Sequence, residues 1–145
     1  NLRNFNFNRT LINAKDILKK YDSNDYKKYV KLNSKTYNKE LVYRNKNFEI
    51  FVITWDRYQY SPIHNHSKNG CLFRVLRGEM YEYKYDIKNI DFINKMRYNK
   101  YSGVSYIDNN NCYHKIINKN DNYCVSLHVY SPPEFKASIF KNSEN

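Results

Sequence analysis

The chain has 145 residues, of which 41% are hydrophobic and 27% charged, and its formal net charge is +11. This length suits a single domain whose core is large enough to fold unaided. No apolar run approaches the roughly 20 residues that a transmembrane helix needs, and no signal-peptide pattern opens the chain. We therefore expect a cytoplasmic protein without a membrane partner. The lysines are scattered without a dense basic run, so the charge indicates no specific nucleic-acid partner.

The first thirty or so residues have the pattern of short helices. Thr10 could cap a helix that runs to about residue 21. The apolar face of that helix would comprise Leu11, Ala14, Leu18 and Tyr21. A second short helix could start after Ser23, and its inward residues would be Tyr26, Tyr29 and Val30.

Most of the remaining chain alternates with the period of two that is typical of β-strands, as in Tyr81, Tyr83 and Tyr85. The predicted strands cover 36–43, 48–55, 71–77, 80–86, 104–107, 113–118 and 123–130. Two helices followed by many short strands predict a mainly β barrel or jelly roll. We expect one domain over residues 1–145: a helical part at 1–35, a barrel at 36–131 and a C-terminal tail at 132–145.

The four histidines are the candidate chemical groups. His64 and His66 are two residues apart, so on a strand both rings would project from one face, and His114 could join them from a facing strand. Three neutral imidazoles can hold a metal ion and leave coordination positions open for a substrate; they suit iron, zinc and copper alike. His128 on the last strand is a further possible ligand.

The residues around these histidines keep a fixed spacing. Four residues separate His66 from Cys71, and six more precede Gly78. The second stretch runs from Gly103 through Asn109-x-Asn111 to His114 and Asn118. This spacing resembles the two motifs of the cupin family, which implies a double-stranded β-helix. The departures from those motifs are Tyr58 for glycine, Cys71 for glutamate, Asn109 for proline and Asn111 for glycine.

Cysteine at the glutamate position resembles cysteine dioxygenase of type I, as does the segment Ser126-Leu127-His128-Val129-Tyr130-Ser131-Pro132-Pro133. The similarity extends over roughly residues 10–135, including the stretch from Tyr37 to Val42 before Trp55. The resemblance implies Fe(II) held by the three histidines and a possible thioether between Cys71 and Tyr130. The implied substrates are a small thiol and O2, with L-cysteine giving cysteine sulfinic acid. We expect a monomer, with Cys112 and Cys124 as buried thiols.

The family's further residues are carried over by position. Ser126, His128 and Tyr130 share one strand face, so a hydrogen-bonded relay could hold the phenol. Tyr37 and Lys39 also share a face, and the family expects an arginine at the second position to grip the substrate carboxylate. Lysine keeps the charge but loses the bidentate fork, so Arg44 or Arg57 could take that role instead. Another thiol, such as 3-mercaptopropionate or cysteamine, and a non-enzymatic metal-binding cupin stay as alternatives.

Overall fold

The computed structural model describes Leu2 and residues 11–142. A 3-10 turn, Leu11–Ala14, runs directly into the short helix α1, Lys15–Lys19, and a second 3-10 turn spans Asp25–Tyr29. The predicted apolar face packs as expected, since Leu11, Ala14 and Leu18 are buried. Thr10, the predicted cap, lies outside the described residues. None of the described helices is long and apolar enough to cross a membrane.

The strands form two five-stranded antiparallel sheets. They are β1 Asn38–Arg44, β2 Glu49–Trp55, β3 Ile63–His64, β4 Cys71–Arg77, β5 Met80–Tyr85, β6 Phe92–Tyr98, β7 Ser105–Ile107, β8 Tyr113–Ile117, β9 Cys124–Tyr130 and β10 Ile139–Phe140. The first sheet has the order β1-β2-β9-β4-β7 and the second β10-β3-β8-β5-β6. Each predicted strand is present within two residues at both ends, whereas β3, β6 and β10 were not predicted. β10 lies in the segment predicted as a tail, where it pairs with β3.

The first sheet is covered on both faces, and this explains why its central strands are continuously apolar. On β2, Val52 packs outward against the N-terminal helical segment, whereas Phe51, Ile53 and Trp55 pack inward between the sheets. On β9 the outward residues are Val125, Leu127 and Val129. The inward positions of β9 are therefore free to carry polar groups, and they hold the predicted relay.

The second sheet is buried on one face only. On β8, His114 and Ile116 are buried and point inward, while Tyr113, Lys115 and Ile117, which alternate with them, are partly exposed. β5 alternates in the same way at its start, with Met80 and Glu82 fully buried. The inner faces of the two sheets thus enclose a mixed interior of apolar and ionisable side chains, in which the candidate site lies.

The turn after β2 contains a strained residue. Tyr58 stands where the cupin motif has glycine, and it keeps a left-handed backbone with φ of 61°. A residue with a side chain loses about 1–2 kcal/mol of stability in this conformation. Glycine avoids that strain, but it loses more conformational entropy on folding, and this loss cancels part of the gain.

Replacing Tyr58 by glycine should therefore raise the free energy of unfolding by up to about 1 kcal/mol. Tyr60 is the matched control, because it is equally exposed, at 60% against 58%, and has no positive φ. Tyr60→Gly should destabilise the protein. Urea unfolding measures both variants, and equal destabilisation by the two changes would contradict the explanation.

Candidate metal centre

Three histidine rings meet at one end of the space between the sheets. His64 on β3 and His114 on β8 are directly paired across their two strands. The ring of His66 joins them, with centroid distances of 5.4 Å to His64 and 4.4 Å to His114. One ring nitrogen from each histidine lies within 4.8 Å of the other two. The residues predicted to meet are thus brought together, although by a different route from the predicted one.

The predicted route was wrong in two respects. Of His64 and His66, only His64 belongs to a strand, since β3 ends there and His66 follows it outside the ladder. The strand of His114 is a neighbour in the same sheet rather than a facing one. The side chain of Asn109 forms the two backbone hydrogen bonds that a neighbouring strand would otherwise form with His66. Its Oδ1 accepts from the His66 backbone N–H at 2.8 Å, and its Nδ2 donates to the His66 carbonyl at 2.7 Å.

Hydrogen bonds orient two of the three rings. The Nδ1 of His64 donates to the Pro62 carbonyl at 2.7 Å. The Nδ1 of His114 donates to Oε2 of Glu82 at 2.6 Å. These bonds leave both Nε2 atoms with lone pairs, and the two atoms lie only 3.1 Å apart. Two lone pairs at that distance repel each other unless a proton or a cation lies between them.

The ring nitrogens of His66 also lack partners in the described part of the chain. His66 is 1% exposed, and neither of its ring nitrogens has a hydrogen-bond partner among the described residues. A buried polar atom without a partner costs about 1–3 kcal/mol. Burial lowers the pKa of all three imidazoles, so each is neutral near pH 7, which is the form that binds a metal ion. This donor set therefore fits a divalent transition metal.

A cavity of about 180 Å³ opens from these rings. The other residues that line it include Tyr37, Lys39, Trp55, His128, Tyr130 and Phe135. A larger open groove of about 650 Å³ lies between the helical segment and the outer face of the first sheet, but its lining contains no histidine or cysteine. The chemistry-bearing side chains are therefore concentrated in the smaller cavity.

The inward face of β9 carries a chain of hydrogen bonds. Ser126 Oγ lies 2.7 Å from Nε2 of His128, and Nδ1 of His128 lies 3.4 Å from the Tyr130 hydroxyl. The chain begins at Trp55, whose Nε1 donates to Ser126 Oγ at 2.8 Å. The Ser126 hydroxyl, which accepts from the indole, keeps its own proton for Nε2 of His128, and in that tautomer Nδ1–H of His128 donates to the Tyr130 hydroxyl. The phenolic proton of Tyr130 is then free to point into the cavity.

Cys71 faces Tyr130 across the β4–β9 ladder, where the two residues are direct partners. Tyr130 packs against the buried cluster that contains Cys71, Ile107 and Cys112. Burial raises the pKa of the Cys71 thiol and raises that of the Tyr130 phenol well above its usual range. All three cysteines are free and buried. The pair thus lies side by side in protonated form.

Tyr37 and Lys39 both reach the same cavity. The Tyr37 ring stacks on Trp55 with centroids 4.6 Å apart. The ammonium of Lys39 lies 4.3 Å from the ring centroid of Phe51 and 4.8 Å from that of Tyr130. Much of the Lys39 side chain is exposed, but burial of its ammonium end lowers its pKa.

The alternative arginines are placed differently. Arg44 is bound to Glu49 at 2.8 Å and to Glu134 at 3.3 Å. Arg57 is exposed and does not line the cavity. Among the described residues, Lys39 is therefore the only lysine or arginine that lines the cavity.

Sequence reasoning missed three contributors to this site. Glu82 lies on the inward face of a strand that is otherwise rich in tyrosine, and a lone acidic residue at an inward position of β5 was the available signal. Trp55 is a core residue with 1% exposure, and its indole also donates to Ser126. Asn109 was noted only as a departure from proline, whereas its side chain secures His66.

The buried imidazole of His128 makes the stability of the metal-free protein depend on pH. Burial lowers its pKa well below that of an exposed imidazole, so below about pH 6.5 the unfolded chain takes up a proton that the folded chain refuses. Stability is therefore present above that pH and is lost as the pH falls. The three histidines of the metal centre add to the effect in the same direction.

His128→Gln should reduce this pH dependence by up to about 1.4 kcal/mol per pH unit. The measurement is urea unfolding of the metal-free protein between pH 7 and pH 5. An unchanged slope in the variant would show that His128 titrates normally in the folded state.

The comparisons with known proteins agree on the fold. An uncharacterised conserved protein from Klebsiella pneumoniae with a double-stranded β-helix domain superposes with a TM-score of 0.64 at 13% identity, covering 85% of this chain and 98% of that one. An RmlC-like cupin family protein from Methanocaldococcus jannaschii superposes with a TM-score of 0.55 at 20% identity, covering 70% and 85%. The mainly β, double-stranded β-helix fold of the cupins is thereby confirmed.

The sequence comparisons are more specific. Cysteine dioxygenase type 1 of Rattus norvegicus is 30% identical over 125 residues, which is 81% of this chain and 62% of the relative. The protein of the same name from Danio rerio is 28% identical over 132 residues, covering 83% and 64%. The chain thus spans less than two thirds of the length of these relatives. A family model described as cysteine dioxygenase type I matches residues 2–143, and the chain belongs to that family.

Proposed function

We propose that this chain is a non-haem iron thiol dioxygenase that converts L-cysteine and O2 to cysteine sulfinic acid. The observation that carries the proposal is the convergence of three neutral histidine nitrogens on a cavity that also contains an ammonium and a phenol. Membership of the cysteine dioxygenase type I family supports the same reaction. A cavity of about 180 Å³ suits a substrate of a few heavy atoms.

His64, His66 and His114 would hold the metal. Ferrous iron, when bound, supplies redox chemistry toward a thiol and dioxygen that zinc lacks. The chain itself supplies orientation and a partly apolar cavity wall. The apolar side chains of Ile53 and Ile116 line the cavity, and Phe135 of the C-terminal segment lines it too.

Lys39 and Tyr130 would act on the substrate from the cavity wall. The Lys39 ammonium would bind the carboxylate, which fixes the thiol end toward the histidines. Ser126 and His128 would hold the Tyr130 phenol through the relay, and with Nδ1 of His128 protonated the phenolic proton would be directed toward the substrate. A phenol held in this way loses little rotamer freedom when the substrate binds.

The pairing of Cys71 with Tyr130 supports a thioether between the Cys71 sulfur and a ring carbon of Tyr130. Forming it breaks one S–H and one C–H bond and passes two electrons and two protons to dioxygen. After repeated turnover with iron, cysteine and O2, we expect mass spectrometry of tryptic peptides to find both residues in one linked species that lacks two hydrogen atoms. Cys112→Ser is the matched control, because Cys112 lies in the same cluster and should leave the link intact. A link that persists in Cys71→Ser would contradict the assignment.

The experiment that tests the reaction is oxygen uptake by the iron-loaded protein with a panel of three thiols. Cysteine carries both a carboxylate and an amine, 3-mercaptopropionate only the carboxylate, and cysteamine only the amine. We expect the fastest uptake with cysteine, one O2 for each thiol, and a sulfinic acid product. Faster uptake with 3-mercaptopropionate would make it the substrate, which the lysine at position 39 permits. Iron binding without uptake for any thiol would leave a non-enzymatic metal-binding cupin.

A further inference from the structure

A buried carboxylate lies behind the candidate metal centre. Glu82 is 0% exposed and does not line the cavity, so it does not meet the substrate. It lies on β5, the strand adjacent to β8 in the second sheet, and its Oε2 accepts from Nδ1 of His114 at 2.6 Å. The contact is therefore made to the side of the imidazole that faces away from the other two histidines.

The same carboxylate is fixed from its other side. Ser105 Oγ donates to Oε1 at 2.7 Å, and the Tyr98 hydroxyl lies 3.5 Å from that atom. Ser105 belongs to β7 in the first sheet, so this hydrogen bond also joins the two sheets. Rotation of the Glu82 side chain would break contacts with both strands. The hydrogen-bond acceptor offered to His114 is thus rigid.

A purely structural role would explain this arrangement poorly. A carboxylate removed from water is costly unless a positive charge compensates it, and no lysine or arginine forms an ion pair with Glu82 among the described residues. A cation on the far side of the His114 ring would supply that compensation. An Nδ1–H held by a carboxylate also keeps the lone pair on Nε2 and increases its basicity.

We propose that Glu82 is a positioning residue, which orients and polarises His114 for the metal ion. This inference rests on the proposed three-histidine site. It predicts that a change at Glu82 weakens metal binding without lowering the stability of the metal-free protein. Loss of the charge should weaken metal binding by about 10- to 100-fold. The glutamine variant should leave the metal-free protein about as stable as before, because its amide oxygen can still accept from His114 and its amide nitrogen can donate to Ser105.

The test compares the wild type, Glu82→Gln and a matched control. Glutamine keeps the length and an acceptor oxygen but not the charge. Glu79→Gln is the control, since Glu79 pairs with Arg97 near the surface at 3.6 Å and touches no histidine. Two readouts are needed: the Kd for Co(II), from competition with a chelator, and the Tm of the metal-free protein. We expect Glu82→Gln to raise the Kd by about 10- to 100-fold at an unchanged Tm, with no change for Glu79→Gln.

The outcomes separate this inference from the proposed function. A wild type that binds no metal would overturn the three-histidine site itself. A wild type that binds Co(II), with an equal Kd in Glu82→Gln, would overturn the role of Glu82 alone. A lower Tm of metal-free Glu82→Gln would also overturn it, because the carboxylate would then be a structural element of the barrel. A weaker Kd at a preserved Tm supports it.

Discussion

Replacing His64 or His114 by alanine should remove iron and thiol oxidation together. Each variant leaves only two imidazoles at a site where three converge within 4.8 Å. Loss of a residue that merely orients a ligand typically costs 10- to 100-fold in metal affinity, so loss of the ligand itself should cost more than about 100-fold. The measurements are iron content after reconstitution and oxygen uptake with cysteine. We expect both to fall to near zero.

His128→Gln is the control for this experiment. His128 lies in the same cavity, but its two ring nitrogens are engaged by Ser126 and Tyr130. The variant should therefore keep its iron while it loses activity. Full iron content in both alanine variants would exclude the three-histidine site. Loss of iron in His128→Gln would instead identify His128 as a fourth ligand.

The sequence predicted all five strands of the first sheet and the strands β5 and β8 of the second, but it missed β3, β6 and β10. Central strands such as β2 and β9 carry runs of β-branched and aromatic residues because both of their faces are buried. β6 is an edge strand in which Phe92–Met96 are all exposed, so no burial pattern marks it. β3 and β10 have two residues each, and they pair although they are far apart in the sequence. Periodicity cannot be seen in so short a segment.

The residues of the candidate site also fall into two groups: those that the sequence could reveal and those that it could not. Residues that act through their own position in a motif, such as His64, His114 and Cys71, could be found because spacing along the chain is visible in the sequence. Glu82 could not be assigned in this way, since its partner His114 is 32 residues away and the contact depends on the pairing of β5 with β8. The sequence also could not decide which of Lys39, Arg44 and Arg57 binds the substrate carboxylate. Only the structure shows that Arg44 is held in ion pairs with two glutamates.

Lys39→Ala should lower kcat/KM for cysteine by about 10- to 100-fold, because a hydrogen bond to a charged group contributes about 1.5–3 kcal/mol. The same loss should appear with 3-mercaptopropionate, whose carboxylate is identical in kind. Cysteamine has no carboxylate, so its turnover should be nearly insensitive to the change. Arg57→Ala is the matched control, since it removes an exposed charge outside the cavity and should leave all three thiols unaffected.

The pH profile gives a second, independent readout for Lys39. Burial of its ammonium lowers its pKa, so the positive charge is lost at a lower pH than for an exposed lysine. For thiols with a carboxylate, KM should therefore rise on the alkaline side in the wild type, and Lys39→Arg should remove that rise because arginine stays charged. Unchanged cysteine kinetics in Lys39→Ala would mean that Lys39 does not bind the carboxylate. Since Arg44 is already held by Glu49 and Glu134, such a result would favour a substrate that has no carboxylate.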